Sequence, residues 1–131
     1  MVEIKLPWPP SELSPNSRGH FMQLARAKKK YRQDCAWATI QHRQSQGGAL
    51  NGKLRVELTF YRPTRRDYDR DNLLARMKSG LDGMADGLRI DDKRFDTIAV
   101  RVADEIGGFV LVRITGELYA ESNQRPDGQG R

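Results

Sequence analysis

From about His20 to Gln46 the chain carries neither proline nor glycine, and Phe21, Leu24, Ala25, Tyr31, Cys35, Trp37, Ala38 and Ile40 recur at near-helical spacing. The stretch predicts one long helix, ended by Gly47-Gly48. Its outer side is basic, built from Arg26, Lys28, Lys29, Lys30, Arg32 and Arg43. Before it, Val2, Ile4 and Leu6 alternate with Glu3 and Lys5, the period of two that marks a half-buried strand. Between strand and helix, the prolines of Pro7-Trp8-Pro9-Pro10-Ser11 and Ser14-Pro15-Asn16-Ser17 fix the backbone as a stiff loop or a linker.

A second strand follows, with Leu54, Val56, Leu58 and Phe60 alternating against Arg55, Glu57, Thr59 and Tyr61, and Pro63 closes it. Arg65 to Asp71 is polar apart from Tyr68 and reads as a loop. It leads into a second helix over roughly Asn72 to Ala85, with Leu73, Met77, Leu81 and Met84 as its buried stripe and Gly87 as its stop. Ile98, Val100 and Val102 mark a third strand, Gly107-Gly108 a two-residue hairpin turn, and Phe109 to Thr115 the last strand. A chain of 131 residues supports one hydrophobic core and not two. The expectation is a single α+β domain, a small mixed or antiparallel sheet in the order β-α-β-α-β-β with two helices packed on it. Beyond Leu118 and Tyr119 no large apolar residue remains to anchor the chain, so residues 1–119 are expected to form the domain and 120–131 a flexible tail.

Charge narrows the function. With 23 Lys and Arg against 17 Asp and Glu the net charge is +6, which points towards a polyanionic partner, most often nucleic acid. No apolar run approaches the roughly 20 residues of a membrane helix, and MVEIKLPWPP lacks the apolar stretch of a signal peptide, so a cytoplasmic protein with no membrane partner is expected. A single cysteine, Cys35, excludes an intrachain disulfide, a Cys-based zinc site and a CxxC redox motif.

Eight of the 17 acidic residues lie between Asp67 and Asp96, and all eight are aspartate. Asp67, Asp69 and Asp71 are spaced by two in a loop that feeds a helix, and Asp91-Asp92 returns after that helix. Carboxylates this close repel one another unless something positive binds among them, and a divalent cation such as Mg²⁺, which takes carboxylate and phosphate oxygens, is the simplest neutraliser. Arg65, Arg66, Arg70 and Arg94 compete for that role. A solvated loop in which Asp69 or Asp71 caps the helix is the third reading.

Two motif readings fail. An EF-hand counted from Asp67 needs glycine and glutamate where the chain has Asn72 and Lys78, and a glycosyltransferase DxD would need a Gly-rich phosphate loop that is missing. On a continuous helix at about 100° per residue, Asp71, Lys78 and Asp82 fall within roughly 40° of one another. That places Lys78 where an ammonium contacts a phosphate, or else in a surface pair with Asp82. Lys28-Lys29-Lys30 reads first as a solvated helix face, His20 and His42 as surface residues, and Trp8 and Trp37 as core.

Taken together, Leu6-Pro7-Trp8-Pro9-Pro10-Ser11, Tyr31-Arg32, Arg65-Arg66 ahead of Asp69-Arg70-Asp71-Asn72-Leu73, Asp82, Asp91-Asp92 and the glycine pair Gly107-Gly108 resemble the RusA-type Holliday junction resolvases, endodeoxyribonucleases of bacteria and their phages. The resemblance runs in family order from about residue 4 to 117. It implies a dimeric enzyme, dependent on Mg²⁺ or Mn²⁺, that resolves four-way branched DNA by paired nicks in a bacterial or phage-infected cell. The family's essential carboxylates fall on Asp69, Asp71 and Asp92, with Asp91 beside them as a further metal ligand. Its lysine falls on Ala75, one turn before Lys78, so Lys78 is the catalytic lysine available here. Arg18, Lys28, Lys29, Lys30, Arg65, Arg66 and Arg70 are the candidate DNA contacts, positioning the backbone without reading sequence. A non-catalytic or differently specific branched-DNA binding protein, and an interaction protein acting through its tail, are the competing readings.

Overall fold

Val2, Ile4 and Leu6 of strand β1 (Val2–Pro7) are buried, as are Leu54, Val56, Leu58 and Phe60 of β3 (Leu54–Tyr61) and Val110, Val112 and Ile114 of β5 (Phe109–Gly116). Their period-2 alternation therefore lines one face of a sheet, as the sequence predicts. The computed structural model describes residues 1–16, 18–42, 44–45 and 50–116. Arg43, Gly47-Gly48, Leu118, Tyr119 and the expected tail lie outside the described residues.

The remaining elements are helix α1 (Phe21–His42), the two-residue strand β2 (Gln44–Ser45), helices α2 (Arg70–Arg76) and α3 (Lys78–Leu88), and strand β4 (Phe95–Val102). Single 3₁₀ turns occupy Ser11–Leu13 and Asp92–Arg94. The sheet order is β2-β1-β5-β3-β4, with β3 and β4 parallel and the other neighbours antiparallel. The class is α+β with a mixed sheet, as expected. The first helix stops at His42, short of the expected Gln46, because Gln44 and Ser45 pair with Glu3 and Val2 as a strand; the arrangement differs in three further places.

First, Gly107-Gly108 is not a hairpin turn. β5 enters between β1 and β3, pairing Val2 with Ile114 on one side and Val56 with Ile114 on the other, while β4 pairs only with β3. The segment after β4 crosses the end of β3 instead: the N–H groups of Ala103, Gly107 and Gly108 donate to the carbonyls of Phe60, Arg62 and Tyr61 at 2.9, 2.8 and 2.6 Å. Gly108 makes this possible at φ +88°, where a side chain would be strained. The most uniformly apolar strand takes a central place, and β4, whose Ile98 is partly exposed, takes the edge.

Second, the second helix is broken. Met77 (φ −83°, ψ −5°) separates α2 from α3, and its N–H donates to Leu74 O at 3.0 Å. The two halves bury different sides: α2 lies against β4 and the Ser11–Leu13 turn, α3 along α1. Leu73, Met77 and Met84 are buried as predicted, but Gly87 is not the stop. The helix runs to Leu88 and ends on Arg89 in the left-handed region, φ 61°. Gly87 has a packing role shared with Gly80 and Gly83. A Cβ at Gly83 would overlap the Arg32 carbonyl, and one at Gly87 would lie 2.8 Å from the Ala36 carbonyl. The three glycines let α3 approach α1 closely.

Third, α1 buries a narrower stripe than its composition suggests. Tyr31, Cys35, Ala38 and Thr39 are buried, while Trp37 is 61% exposed, Ile40 62% and Phe21 74%. Trp37 is thus a surface residue, because the face that α3 and the sheet cover is set by the contacts of Tyr31 and Cys35. Tyr31 Oη donates to Pro7 O at 2.7 Å and lies 3.3 Å from Met77 Sδ. Burial pushes the Cys35 thiol up to about 12, so it packs as a small apolar group.

Candidate active site

The Asp69-to-Asn72 segment is fixed by the proline-rich loop far away in sequence. Trp8 packs edge-on against Phe60 and Tyr68, with ring centroids 5.8 and 5.3 Å apart. The Arg66 and Arg76 guanidinium groups lie 5.7 and 5.6 Å from the Tyr68 ring centroid. Asn72 Nδ2 donates to Ser14 Oγ at 2.9 Å, and Arg76 Nε donates to Asn72 Oδ1 at 3.1 Å. These contacts give a physical reason why the LPWPPS and DxDN segments occur together: one anchors the loop that carries the other.

Asp69 then caps α2. Its Oδ1 accepts from the Asp71 N–H at 3.0 Å, and its carbonyl accepts from the Leu73 N–H at 3.0 Å. The capping reading of this aspartate is realised, and it leaves the second carboxylate oxygen uncommitted to the cap. Asp69 and Asp71 are both exposed in the first turn of α2, where the helix dipole favours negative charge. Asp67 points outwards, 3.8 Å from Arg62 Nη1.

At the other end of α3, Arg89 reverses the chain. Ile90 N–H donates to Ala85 O at 3.0 Å, and the pair Asp91-Asp92 comes back alongside the helix. Asp91 caps the following 3₁₀ turn, accepting from Lys93 N–H at 2.9 Å, and that backbone bond holds its carboxyl below the ordinary range. Asp92 lies beside Asp82, the two lining one cleft. Burial, then the nearness and charge of Asp92, push the Asp82 carboxyl up, opposed by Arg32 and Lys78.

The neutraliser at this end comes from α1. Arg32 Nε and Nη2 donate to the two carboxylate oxygens of Asp86 at 2.7 and 3.1 Å, a bidentate pair that also faces Asp82 and Asp92. Arg32, Asp82, Asp86, Asp91 and Asp92 line one small open cleft. Periodicity places Arg32 on the exposed basic side of α1, the resemblance includes it only as part of Tyr31-Arg32, and neither gives Asp86 a role. The available signal was Gly80, Gly83 and Gly87, whose spacing marks the α3 face that meets α1 and hence the neighbours Arg32 can reach. Arg94, by contrast, is spent on the backbone, donating to Gly52 O and Leu50 O at 2.9 and 2.8 Å.

Lys78 opens α3, exposed, four residues before Asp82. The break at Met77 means that helical angles cannot be carried from Asp71 to Lys78; the neighbour that the structure gives Lys78 is Asp82. Arg18, Lys28, Lys29, Lys30, Arg65, Arg66 and Arg70 are exposed, with Lys30 paired to Asp34 at 2.7 Å. In donor chemistry the aspartates suit a hard divalent cation. Among the described residues, however, no three carboxylate, histidine or cysteine side chains converge to hold one. Asp69 caps and Asp71 opens α2, whereas Asp82 lies within α3 with Asp92 beside it.

Fold and site together define a small α+β domain that presents aspartates on two sides of a broken helix beside a basic one. The profile of the endodeoxyribonuclease RusA family matches residues 8–115, and the chain belongs to that family. An uncharacterized protein of Xylella fastidiosa (strain Temecula1 / ATCC 700964) is 39% identical over 132 residues, covering 96% of this chain and 84% of that protein. No described helix is long and apolar enough to cross a membrane.

Proposed function

We propose that this chain is a divalent-metal-dependent endonuclease that resolves four-way DNA junctions by paired nicks, acting as a homodimer in the cytoplasm. Membership of an endodeoxyribonuclease family supports hydrolysis of DNA. The observation that supports a metal-dependent site is the return at Arg89, which brings Asp92 beside Asp82, four residues from Lys78 and one helix break from the Asp69–Asp71 pair.

In this reading Asp69, Asp71 and Asp92, with Asp91, are the carboxylates from which Mg²⁺ or Mn²⁺ would take one or two, substrate phosphate and water oxygens filling the rest of its shell. Such an ion, when bound, activates a water and stabilises charge on the phosphoryl oxygens. The protein's own part is positional. The cap on Asp71 N–H orients Asp69, the Asp82 contact orients Asp92, and the Arg32–Asp86 pair offsets the negative charge where the second aspartate set gathers. Lys78, with its side chain free to reach outwards, meets a phosphate oxygen. Arg18, Lys28, Lys29, Lys30, Arg65, Arg66 and Arg70 hold flanking backbone phosphates.

A synthetic four-way junction incubated with Mg²⁺ is expected to yield paired nicks that vanish in EDTA. Tight binding with no nicking under any divalent ion would instead identify a branched-DNA binding protein. For the dimer, light scattering at micromolar concentration is expected to give twice the 15.0 kDa chain mass; a chain-sized mass together with nicks on both strands would refute it.

A further inference from the structure

Next to the aspartates, and assigned no role above, is a partly enclosed cavity of about 400 Å³ between the Ser11–Leu13 turn, the start of α1 and the α2–α3 break. Its size is in the range of small-molecule sites, which run from roughly 300 to 1,000 Å³. Leu13, Pro15, Leu24 and Ala75 give it apolar walls, and Lys28 and Lys78 stand exposed at its edge. Ser79 lines it too, and the buried Ser79 Oγ has no hydrogen-bond partner among the described residues. Asp82 belongs both to this cavity and to the cleft that holds Asp92. An apolar slot with two cations in its lining matches the parts of one nucleotide: a flat base attached to a phosphate.

We propose that this cavity receives one unstacked nucleotide of the DNA, its base against Leu13, Pro15 and Leu24 and its phosphate at Lys28 and Lys78. The proposal rests on the endonuclease reading and adds how the substrate is gripped. Extracting a base from its stack costs least where pairing is already interrupted, so a branch point supplies such a nucleotide more readily than a continuous duplex. Because Asp82 forms the shared wall, a nucleotide seated here puts its neighbouring phosphodiester towards Asp92.

The test uses the full chain in EDTA with four-way junctions carrying 2-aminopurine at successive positions around the branch. Binding is expected to raise the emission severalfold at one of these positions, and much less in a linear duplex of the same sequence. Ala75→Leu narrows the cavity from an exposed site on α2, where leucine is also a good helix former. It is expected to abolish the rise while junction affinity, carried by the basic surface, stays near that of the parent. A rise at no position, or one that persists in Ala75→Leu, would overturn the proposal. Since the readout needs no cutting, a chain that nicks junctions without brightening the probe refutes the cavity alone. One that brightens it and never nicks with any divalent ion refutes the nuclease reading alone.

Discussion

The aspartates that open α2 and those around the end of α3 are the same chemical group in two physical settings. Asp69 and Asp71 are exposed, oriented by a backbone cap and by a loop that Trp8 and Tyr68 brace. Asp82 and Asp92 share one cleft, and an arginine from α1, locked by Asp86, balances their charge. The first set is poised by local geometry and the second by tertiary contacts, so a ligand and its support can be told apart by substitution even if both sets serve one reaction.

The largest effects are expected at the ligand positions. Asp69→Asn, Asp71→Asn and Asp92→Asn should each reduce nicking beyond the roughly 10- to 100-fold typical of residues that only support a ligand, while junction binding holds or tightens because phosphate repulsion falls. Asp82→Asn, which keeps a hydrogen-bonding side chain beside Asp92, should stay within that 10- to 100-fold band. Near-normal nicking by two of the first three variants would remove the aspartates from the metal assignment. An Asp82 effect as large as theirs would make Asp82 a ligand and not a support.

Next in size is the lysine. Lys78→Ala should lower the nicking rate by about 10-fold or more while thermal stability changes little, since charge stabilisation at a phosphate matters far more than a surface pair with Asp82. Lys78→Ala/Ala75→Lys asks whether a lysine one turn nearer the DxDN segment serves as well. Recovery in the double variant would show that reach matters and not the turn it starts from, whereas equal rates in all three proteins would leave Arg65, Arg66 or Arg70 to supply the charge.

A smaller effect concerns acid stability. Hydrogen bonds from Arg32 hold the Asp86 carboxyl below its ordinary range. A lowered folded value stabilises the protein above the unfolded carboxylate pKa of about 3.9 and loses that contribution as pH falls through the folded value. Arg32→Ala should therefore melt slightly lower than the parent at pH 5 to 7, and the two melting curves should converge as the pH drops below about 4. A gap that widens in acid would contradict the bidentate pair. Smallest of all, Arg89→Gly should gain about 1 kcal/mol by relieving a left-handed residue, seen as a raised melting temperature; a loss would mean that the Arg89 side chain holds the return of Asp91-Asp92.

Much of this molecule is written in local periodicity. The strand at Leu54–Tyr61 and the helix from Phe21 follow from spacing alone, and the aspartate set at 69 and 71 stands out because its members are close in sequence. What periodicity does not encode is which strand pairs with which. Gly107-Gly108 has hairpin composition, yet its N–H groups are taken by carbonyls at the end of β3, some 46 residues earlier. Likewise, Trp37 looks like core until the glycines of α3 select the neighbouring face of α1. The Arg32–Asp86 and Asp82–Asp92 contacts were hidden for the same reason: each joins groups that only the packed fold makes neighbours.

The sheet order has one more consequence, for the order of events at the ribosome. β5 sits between β1 and β3, so the strand that joins the two halves of the sheet is the last described one to be synthesised. Until residues 109–116 emerge, β1 has no partner on that side and β3 and β4 form a separate parallel pair. Such long-range pairing makes folding slow and leaves strand edges open meanwhile. A stalled product lacking β5 would carry every candidate catalytic aspartate and no continuous sheet to hold them in place, so nascent chains would not cut DNA before translation has passed Gly116.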